Sequence, residues 1–179
     1  MRKLGIYVSG MGALSMAGCA SYADVEPDVP PASYTANADL RSASGLAVGS
    51  ATATQVGGDI RIRIEGMNLP MGAHGLHVHM IGVCAAPGFD SAGGHWNPTG
   101  QKHGKDNPAG MHKGDLPNLL IGTDGRGTLE YTIPNALVAG NAGMLDMDGA
   151  ALVVHSNADD NRTDPSGNSG GRIACGAFR

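Results

Sequence analysis

The alternation of apolar and polar side chains in DIRIRIEGM, residues 59–67, is the feature that most constrains the fold of this chain. Its isoleucines fall on one face of a β-strand and its arginines on the other, because successive side chains of a strand point to opposite faces. The pair Gly57-Gly58 before it is typical of a hairpin turn, and SATATQV at 50–56 predicts the partner strand. The sequence therefore predicts an antiparallel hairpin here.

Five further stretches have the length and composition of short strands. They are AHGLHVHMI at 73–81, LLIG at 119–122, TLEYTIP at 128–134, AALVVHS at 150–156 and RIAC at 172–175. About eight short strands separated by turn residues are typical of a β-sandwich or barrel. The 29 glycines and 10 prolines agree with a loop-rich, all-β domain rather than a helical one.

The N-terminus has the pattern of a targeting segment. Arg2 and Lys3 precede residues 4–18, which are apolar and small but too few for a comfortable membrane span. The stretch LSMAGC at 14–19 resembles a bacterial lipoprotein signal, in which cleavage falls just before a cysteine that receives lipid. The pattern therefore predicts lipid attachment at Cys19.

We accordingly expect a signal peptide at 1–18, a flexible tether at 19–33, rich in small and acidic residues and proline, and one folded domain at 34–179. Ordinary signal cleavage after Ala20 or Ala23 is the alternative. Both interpretations place the protein outside the cytoplasm. The predicted location is the periplasm of a Gram-negative bacterium, with membrane attachment only through the lipid.

Export also bears on the cysteines. The chain has three, and once Cys19 is lipidated or removed, Cys84 and Cys175 remain. In an oxidising compartment these two can form a disulfide. Two buried free thiols are the alternative.

The predicted strand at 73–81 contains a pair of histidines separated by one residue. His77 and His79 share one face of it, because side chains repeat every two residues. Taken alone, such a pair is more typical of a polar, solvated face than of a metal site.

The irregular stretches 82–117 and 157–171 are long for a compact domain, which points to function. The first contains His95, His103, His112 and Asp115 at spacings of eight, nine and three, which no helix or strand period explains. Three imidazoles and one carboxylate suit a closed tetrahedral zinc site, and solvated loop histidines are the alternative. His77, His79 and His155 remain, and imidazoles without a thiolate suit copper.

Six stretches together resemble a known family. They are GLHVH, GGHWNP, KHG, HKGDLP, LVVHSNADD and GNSGGRIACG, and in this order they resemble the bacterial exported copper–zinc superoxide dismutases. The resemblance runs from about residue 34 to the C-terminus and is specific from Gly75 onward. It implies an eight-stranded Greek-key β-barrel or sandwich, with two long functional loops over the metals.

The resemblance also implies one copper and one zinc per subunit. It assigns copper to His77, His79, His95 and His155, and zinc to His95, His103, His112 and Asp115. His95 would then bridge the two metals, with both ring nitrogens used.

Further roles follow from the resemblance. Asp159 would be the carboxylate that links a copper-binding histidine to a zinc-binding one, and Arg172 would lie beside the copper. Cys84 and Cys175 match the family's disulfide. His74 would be structural and not a ligand.

The implied activity is the dismutation of superoxide to oxygen and hydrogen peroxide, with Arg172 and His95 as catalytic residues. Arg172 would attract the anion, and His95 would deliver a proton to the product. The lysines of the first loop, Lys102, Lys105 and Lys113, are further candidates for attracting the anion.

A different class of function is an exported protein that binds or buffers copper or zinc without catalysis. Such a protein has no need for a bridging histidine or for Arg172. Nucleic-acid binding is disfavoured, since the net charge is −4 and no basic patch is present in the sequence. The sequence leaves open whether the protein is a monomer or a homodimer.

Overall fold

Eight β-strands make up the computed structural model, which describes residues 34–140 and 142–179. The strands are β1 (Thr35–Ser42), β2 (Ala47–Val56), β3 (Asp59–Gly66), β4 (Gly72–His79), β5 (Asp115–Ile121), β6 (Gly127–Ile133), β7 (Ala151–His155) and β8 (Arg172–Ala177). A short 3₁₀ turn at Asp90–Ala92 is the only helical element in these ranges.

The strands form a nearly closed barrel. Hydrogen bonds join them in the order β5-β4-β7-β8-β1-β2-β3-β6, and every neighbouring pair is antiparallel. The edge strands β5 and β6 lie side by side and are joined by a tight turn, in which the Gly122 N–H donates to Arg126 O at 2.9 Å. Because β3 pairs with β6 and β4 with β7, the connections cross the barrel ends as in a Greek key. The predicted all-β fold class is confirmed.

The alternation that predicted the first hairpin places side chains as expected. Ile60, Ile62 and Ile64 are fully buried, whereas the intervening Arg61 and Arg63 are exposed. The isoleucines pack in one large apolar core that also receives side chains from the other strands. Burial of such side chains contributes about 1.5–3 kcal/mol each.

The strand β1 was not among the predicted stretches. Its buried residues Ala36, Ala38 and Leu40 do alternate with exposed ones, but two alanines give a weak apolar signal. The remaining strand boundaries differ from the predicted ones by a few residues, and β5 begins at Asp115 rather than at Leu119.

A disulfide joins Cys84 to Cys175, as predicted, with the Cα atoms 5.7 Å apart. It connects the segment after β4 to β8. Beside it Phe89, Ala92, Ala151 and Val153 form a second, smaller apolar cluster that also holds this segment against the sheet.

The predictions of a signal peptide at 1–18, a tether at 19–33 and a lipid on Cys19 concern residues outside the described range. Within that range, no helix has the length and apolar character needed to cross a membrane.

Candidate metal centre

The strand histidines lie on the outer face of the barrel wall. On β4, Leu76 and Val78 point into the core, so His77 and His79 point to the opposite face. There the segment 80–114 and the segment 156–171 cover them. His77, His79 and, on β7, His155 are consequently almost fully buried.

Three ring nitrogens in this buried group have no hydrogen-bond partner within residues 34–140 and 142–179: His77 Nδ1, His79 Nε2 and His155 Nε2. The donor atoms of these three histidines and of His95 all lie within 4.8 Å of one another. Buried polar atoms normally have partners, so this convergence requires an explanation.

The opposite nitrogen of each of these rings is hydrogen-bonded. His77 Nε2 donates to Asp159 Oδ2 at 2.7 Å, His79 Nδ1 to Gly93 O at 2.9 Å and His155 Nδ1 to Gly170 O at 3.1 Å. A neutral imidazole that donates from one nitrogen presents a lone pair on the other. Three lone pairs therefore face one point, which fits a metal of the type that imidazole binds.

A second group forms around Asp115 at the start of β5. Its Oδ1 lies 2.8 Å from His95 Nδ1, 3.1 Å from His103 Nδ1 and 3.1 Å from His112 Nδ1. The His95 and His112 Nδ1 atoms are 3.3 Å apart. Zinc bound at 2.0–2.1 Å in a tetrahedron has ligands about 3.3 Å apart. The four donors therefore fit the closed zinc site predicted from their spacing.

His77 also lies within 4.8 Å of His95, His103 and Asp115. Its Nε2 is paired with Asp159, however, and its Nδ1 faces the first group. We therefore assign the fourth place in the second group to His112.

The two groups are connected at two points. His95 belongs to both, and its Nδ1 faces Asp115, which leaves its other ring nitrogen for the first group. Asp159 forms the other connection, because its Oδ2 accepts from His77 and its Oδ1 lies 3.0 Å from His103 Nε2. The structure thus places Asp159 where the sequence predicted a linking carboxylate.

The electrostatics of the two groups differ. Burial lowers the pKa of His77 to about 3, of His79 to about 2 and of His155 to about 4, which keeps these rings neutral. Burial also lowers the pKa of His103, but hydrogen bonds to Asp115 and Asp159 outweigh it and raise that pKa to about 9.

Both carboxylates are held ionised. Burial raises the pKa of Asp115 and of Asp159, but hydrogen bonds from the surrounding histidines outweigh it and leave both pKa values well below the usual range. The second group therefore contains an ionised Asp115 paired with a protonated His103, whereas His77, His79 and His155 of the first group are neutral imidazoles.

Arg172, the first residue of β8, lies at the mouth of the first group. Its guanidinium donates to Phe89 O and to Gly93 O, both at 2.7 Å, and both carbonyls belong to the segment that the disulfide holds. Carbonyl partners orient the guanidinium without neutralising it. It lines a cleft of about 410 Å³ together with His79, His95 and His155.

The three lysines of the first loop do not line this cleft. Lys102 pairs with Asp164 at 3.1 Å, Lys105 pairs with its neighbour Asp106, and Lys113 donates to Pro134 O at 2.6 Å. His74 is not part of either group. Its two ring nitrogens lie 2.7 Å from His155 O and 2.8 Å from Pro70 O, which agrees with the predicted structural role.

Sequence reasoning missed the groups that orient these side chains. The carbonyls of Gly93 and Gly170 accept from His79 and His155, and the side chain of Asn118 hydrogen-bonds to the backbone of Asp159. Backbone carbonyls carry no sequence signal, and a lone asparagine just before a predicted strand does not stand out.

Fold and site together define a Greek-key β-barrel protein with two adjacent groups of potential metal ligands that share one histidine. Comparisons with known proteins agree. A model of the copper/zinc superoxide dismutase family (SODC) matches residues 47–178. The chain therefore belongs to the copper/zinc superoxide dismutase family.

Individual relatives cover most of the chain. Superoxide dismutase [Cu-Zn] 2 of Aquifex aeolicus (strain VF5) is 40% identical over 149 residues, which are 80% of this chain and 86% of the relative. The superoxide dismutase-like protein YojM of Bacillus subtilis (strain 168) is 37% identical over 178 residues, 93% of this chain and 91% of that protein. The crystal structure of a SOD-like protein from Bacillus subtilis superposes with a TM-score of 0.74 at 40% identity, covering 79% of this chain and 96% of that one.

Proposed function

We propose that the protein catalyses the dismutation of superoxide to oxygen and hydrogen peroxide. The observation that carries this proposal is the convergence of three unpartnered, buried imidazole nitrogens beside Arg172, at a cleft open to solvent. A metal site that opens into a cleft lined by a fixed positive charge can attract a small anion and bring it to the metal ligands.

In this proposal copper binds to His77, His79, His95 and His155, and zinc to His95, His103, His112 and Asp115. When bound, copper supplies one-electron exchange with superoxide, and zinc, which has no redox chemistry, holds the loop ligands in place. Imidazole nitrogens suit copper, and three imidazoles with one carboxylate suit zinc. The free ring nitrogens of the first group and the short distances around Asp115 support this assignment.

The chain's own residues bring in the anion and a proton. The net charge of the chain is −4, so a local positive group is needed to attract superoxide. Arg172, anchored by Phe89 O and Gly93 O, supplies it, and a focused field of this kind can raise an association rate by about 10- to 1000-fold. His95 can hold a proton on the ring nitrogen that faces the cleft and release it to the product.

The test combines metal content by mass spectrometry with the superoxide dismutation rate, for the full chain and for His155→Ala. We expect one copper and one zinc per wild-type chain. In the variant, copper and activity should be lost together while zinc remains, because His155 lies in the first group only.

The second candidate is metal binding without catalysis, which the naming of the Bacillus subtilis relative as superoxide dismutase-like favours. Wild-type protein that binds both metals without dismutating superoxide would support this candidate and contradict the first.

We also propose export to the periplasm with a lipid on Cys19. Mass spectrometry of the mature N-terminus, isolated from bacterial membranes, tests this. A diacylglyceryl cysteine at position 19 supports it, and an N-terminus at Ser21 or Asp24 supports ordinary signal cleavage.

A further inference from the structure

The linking carboxylate Asp159 is held by a side chain on a neighbouring strand. Asn118, on β5, hydrogen-bonds to the backbone of Asp159 in both directions. Its Oδ1 accepts from Asp159 N–H at 2.7 Å, and its Nδ2 donates to Asp159 O at 2.9 Å. One asparagine thus satisfies both peptide groups of the residue that connects the two ligand groups.

A β-bulge gives Asn118 this position. On β4, His74 pairs with Leu119 and Leu76 with Leu116, so Gly75 alone lies opposite Pro117 and Asn118. A bulge turns side chains away from the regular alternation, and both Leu116 and Leu119 remain in the core. Asn118 is therefore left on the outer face, toward the loop that carries Asp159.

The other side of the bulge also contacts this loop. The Gly75 N–H donates to Asn157 O at 2.7 Å, two residues before Asp159. Gly75 has no room for a side chain, because an added Cβ would lie 2.7 Å from Ser169 Cβ. At the bulge, β4 therefore holds the loop through Gly75 and β5 holds it through Asn118, both within two residues of Asp159.

The carboxylate of Asp159 has little freedom beyond this. Asn161 N–H donates to its Oδ1 at 2.6 Å, and a Cβ added at Gly167 would overlap the same oxygen. From this position the two oxygens reach His77 and His103, whose other nitrogens face the first and the second group.

We propose that Asn118 is a positioning residue, which sets the affinity of the second group for zinc by placing the Asp159 carboxylate against His103. This inference rests on the metal assignment of the proposed function and goes beyond it, because Asn118 contacts no proposed ligand. Partners of metal-binding histidines typically change metal affinity by about 10- to 100-fold when removed.

The experiment is a double-mutant cycle on zinc affinity in the full chain. Zn²⁺ alone is added to metal-free protein, and its dissociation constant is measured by competition with a chromophoric chelator. The variants are Asn118→Ala, Asp159→Ala and the combination of the two. In Asp159→Ala the backbone groups that Asn118 hydrogen-bonds remain, but the carboxylate is gone. An effect of Asn118→Ala that disappears in this background therefore reflects positioning of the carboxylate, and one that persists reflects general loop stability.

We expect Asn118→Ala to weaken zinc binding about tenfold, at the lower end of the range for such partners. In the Asp159→Ala background, the same substitution should change zinc affinity less than about twofold. An equal loss in both backgrounds would mean that Asn118 acts through general loop stability and would overturn the proposal. So would unchanged zinc affinity in Asn118→Ala.

Asn107→Ala is the matched control. It removes an amide that donates to Arg162 O in the same loop at 3.2 Å and does not contact Asp159, so zinc affinity should stay unchanged. If Asn118→Ala does not fold, Asn118→Gln takes its place, since it keeps an amide donor and acceptor on a longer side chain. We expect it to show a smaller loss with the same dependence on Asp159.

The outcome is independent of catalysis, because no superoxide is used. Wild-type protein that binds zinc but does not dismutate superoxide contradicts the proposed function and leaves the cycle interpretable. Wild-type protein that does not bind zinc overturns this inference together with the metal assignment.

Discussion

The two ligand groups of this barrel are built by different means. The first relies on strands, since β4 and β7 supply His77, His79 and His155. The second relies on a loop, which supplies His103 and His112 and places them around a carboxylate at the start of β5. Strands set the spacing of side chains rigidly, whereas a loop needs an internal partner to bring its ligands together.

The difference is visible in the hydrogen bonds. In the first group three ring nitrogens have no partner in the part of the chain that the structure describes, but in the second every Nδ1 lies within 3.1 Å of Asp115 Oδ1. The second group can therefore hold its shape as an ionic cluster when no metal is bound. The first group keeps its shape because the strands, the disulfide and the carbonyls of Gly93 and Gly170 fix the rings from outside.

The largest effect is expected from the disulfide, which holds the segment of Phe89 and Gly93 beside the first group. Replacing both Cys84 and Cys175 with serine should lower the free energy of unfolding by about 2–5 kcal/mol. It should also lower copper affinity and activity, because Gly93 O orients both His79 and Arg172. Chemical denaturation and separate copper and zinc titrations measure this.

In this variant zinc affinity should remain within a few-fold of the wild-type value. The control is Ser91→Ala, which removes a hydroxyl that bonds to Ala85 and Val83 in the same segment. If the variant lost zinc affinity as strongly as copper affinity, the disulfide would stabilise both ligand groups and not the first one in particular.

Asp115→Asn should disrupt the second group alone. The substitution removes the negative charge around which three histidines gather, so zinc affinity should fall by more than about 100-fold, beyond the usual effect of an outer partner. Copper content should persist, since His77, His79 and His155 are held by strands. Metal analysis after dialysis measures both.

Asp164→Asn is the matched control, because this carboxylate contacts the same loop through His103 N–H at 2.9 Å but is not a ligand. It should retain zinc. Loss of copper from Asp115→Asn would contradict the independence of the strand-built group.

Arg172→Leu should leave both ligand groups intact and slow the reaction roughly tenfold or more at low ionic strength. The wild-type rate should also fall as salt is added, whereas the variant should show a weaker salt dependence. Stopped-flow dismutation assays across a salt series measure both. Equal salt dependence in the two proteins would remove Arg172 from the attraction of superoxide.

The stability of the metal-free protein should depend on pH with opposite signs for the two groups. The folded pKa values of His77, His79 and His155 lie below the usual 6.5, so the unfolded chain binds more protons as pH falls below that value. Each ring should remove about 1 kcal/mol of stability between pH 7 and pH 5.5.

His103 has a folded pKa of about 9, so its contribution is fully present below pH 6.5 and is lost as pH rises through 9. Urea denaturation of the metal-free protein at pH 5.5, 7 and 9.5 measures both slopes. His155→Gln should flatten the acid side and His103→Gln the alkaline side. If His155→Gln flattened the alkaline side instead, or His103→Gln the acid side, the directions of these pKa shifts would be wrong.

Much of the fold was predictable, because period-two alternation reports which face of a strand is buried. Ile60, Ile62 and Ile64 show this, as does the exposure of the arginines between them. The candidate site was predictable as a set of residues, because histidines at spacings that match no helix or strand are unusual. The resemblance to the family then divided them between two metals.

The sequence by itself determined the residue types: alternating isoleucines for the barrel wall, histidines without thiolates for the ligand groups, and two cysteines that can pair. Only the tertiary structure decided which ring nitrogen is free, because that depends on carbonyls such as Gly93 O and Gly170 O, far from the histidines in sequence. It also decided the bulge that turns Asn118 toward Asp159. Such features arise from contacts between segments that are separated along the chain, and a linear pattern does not record those contacts.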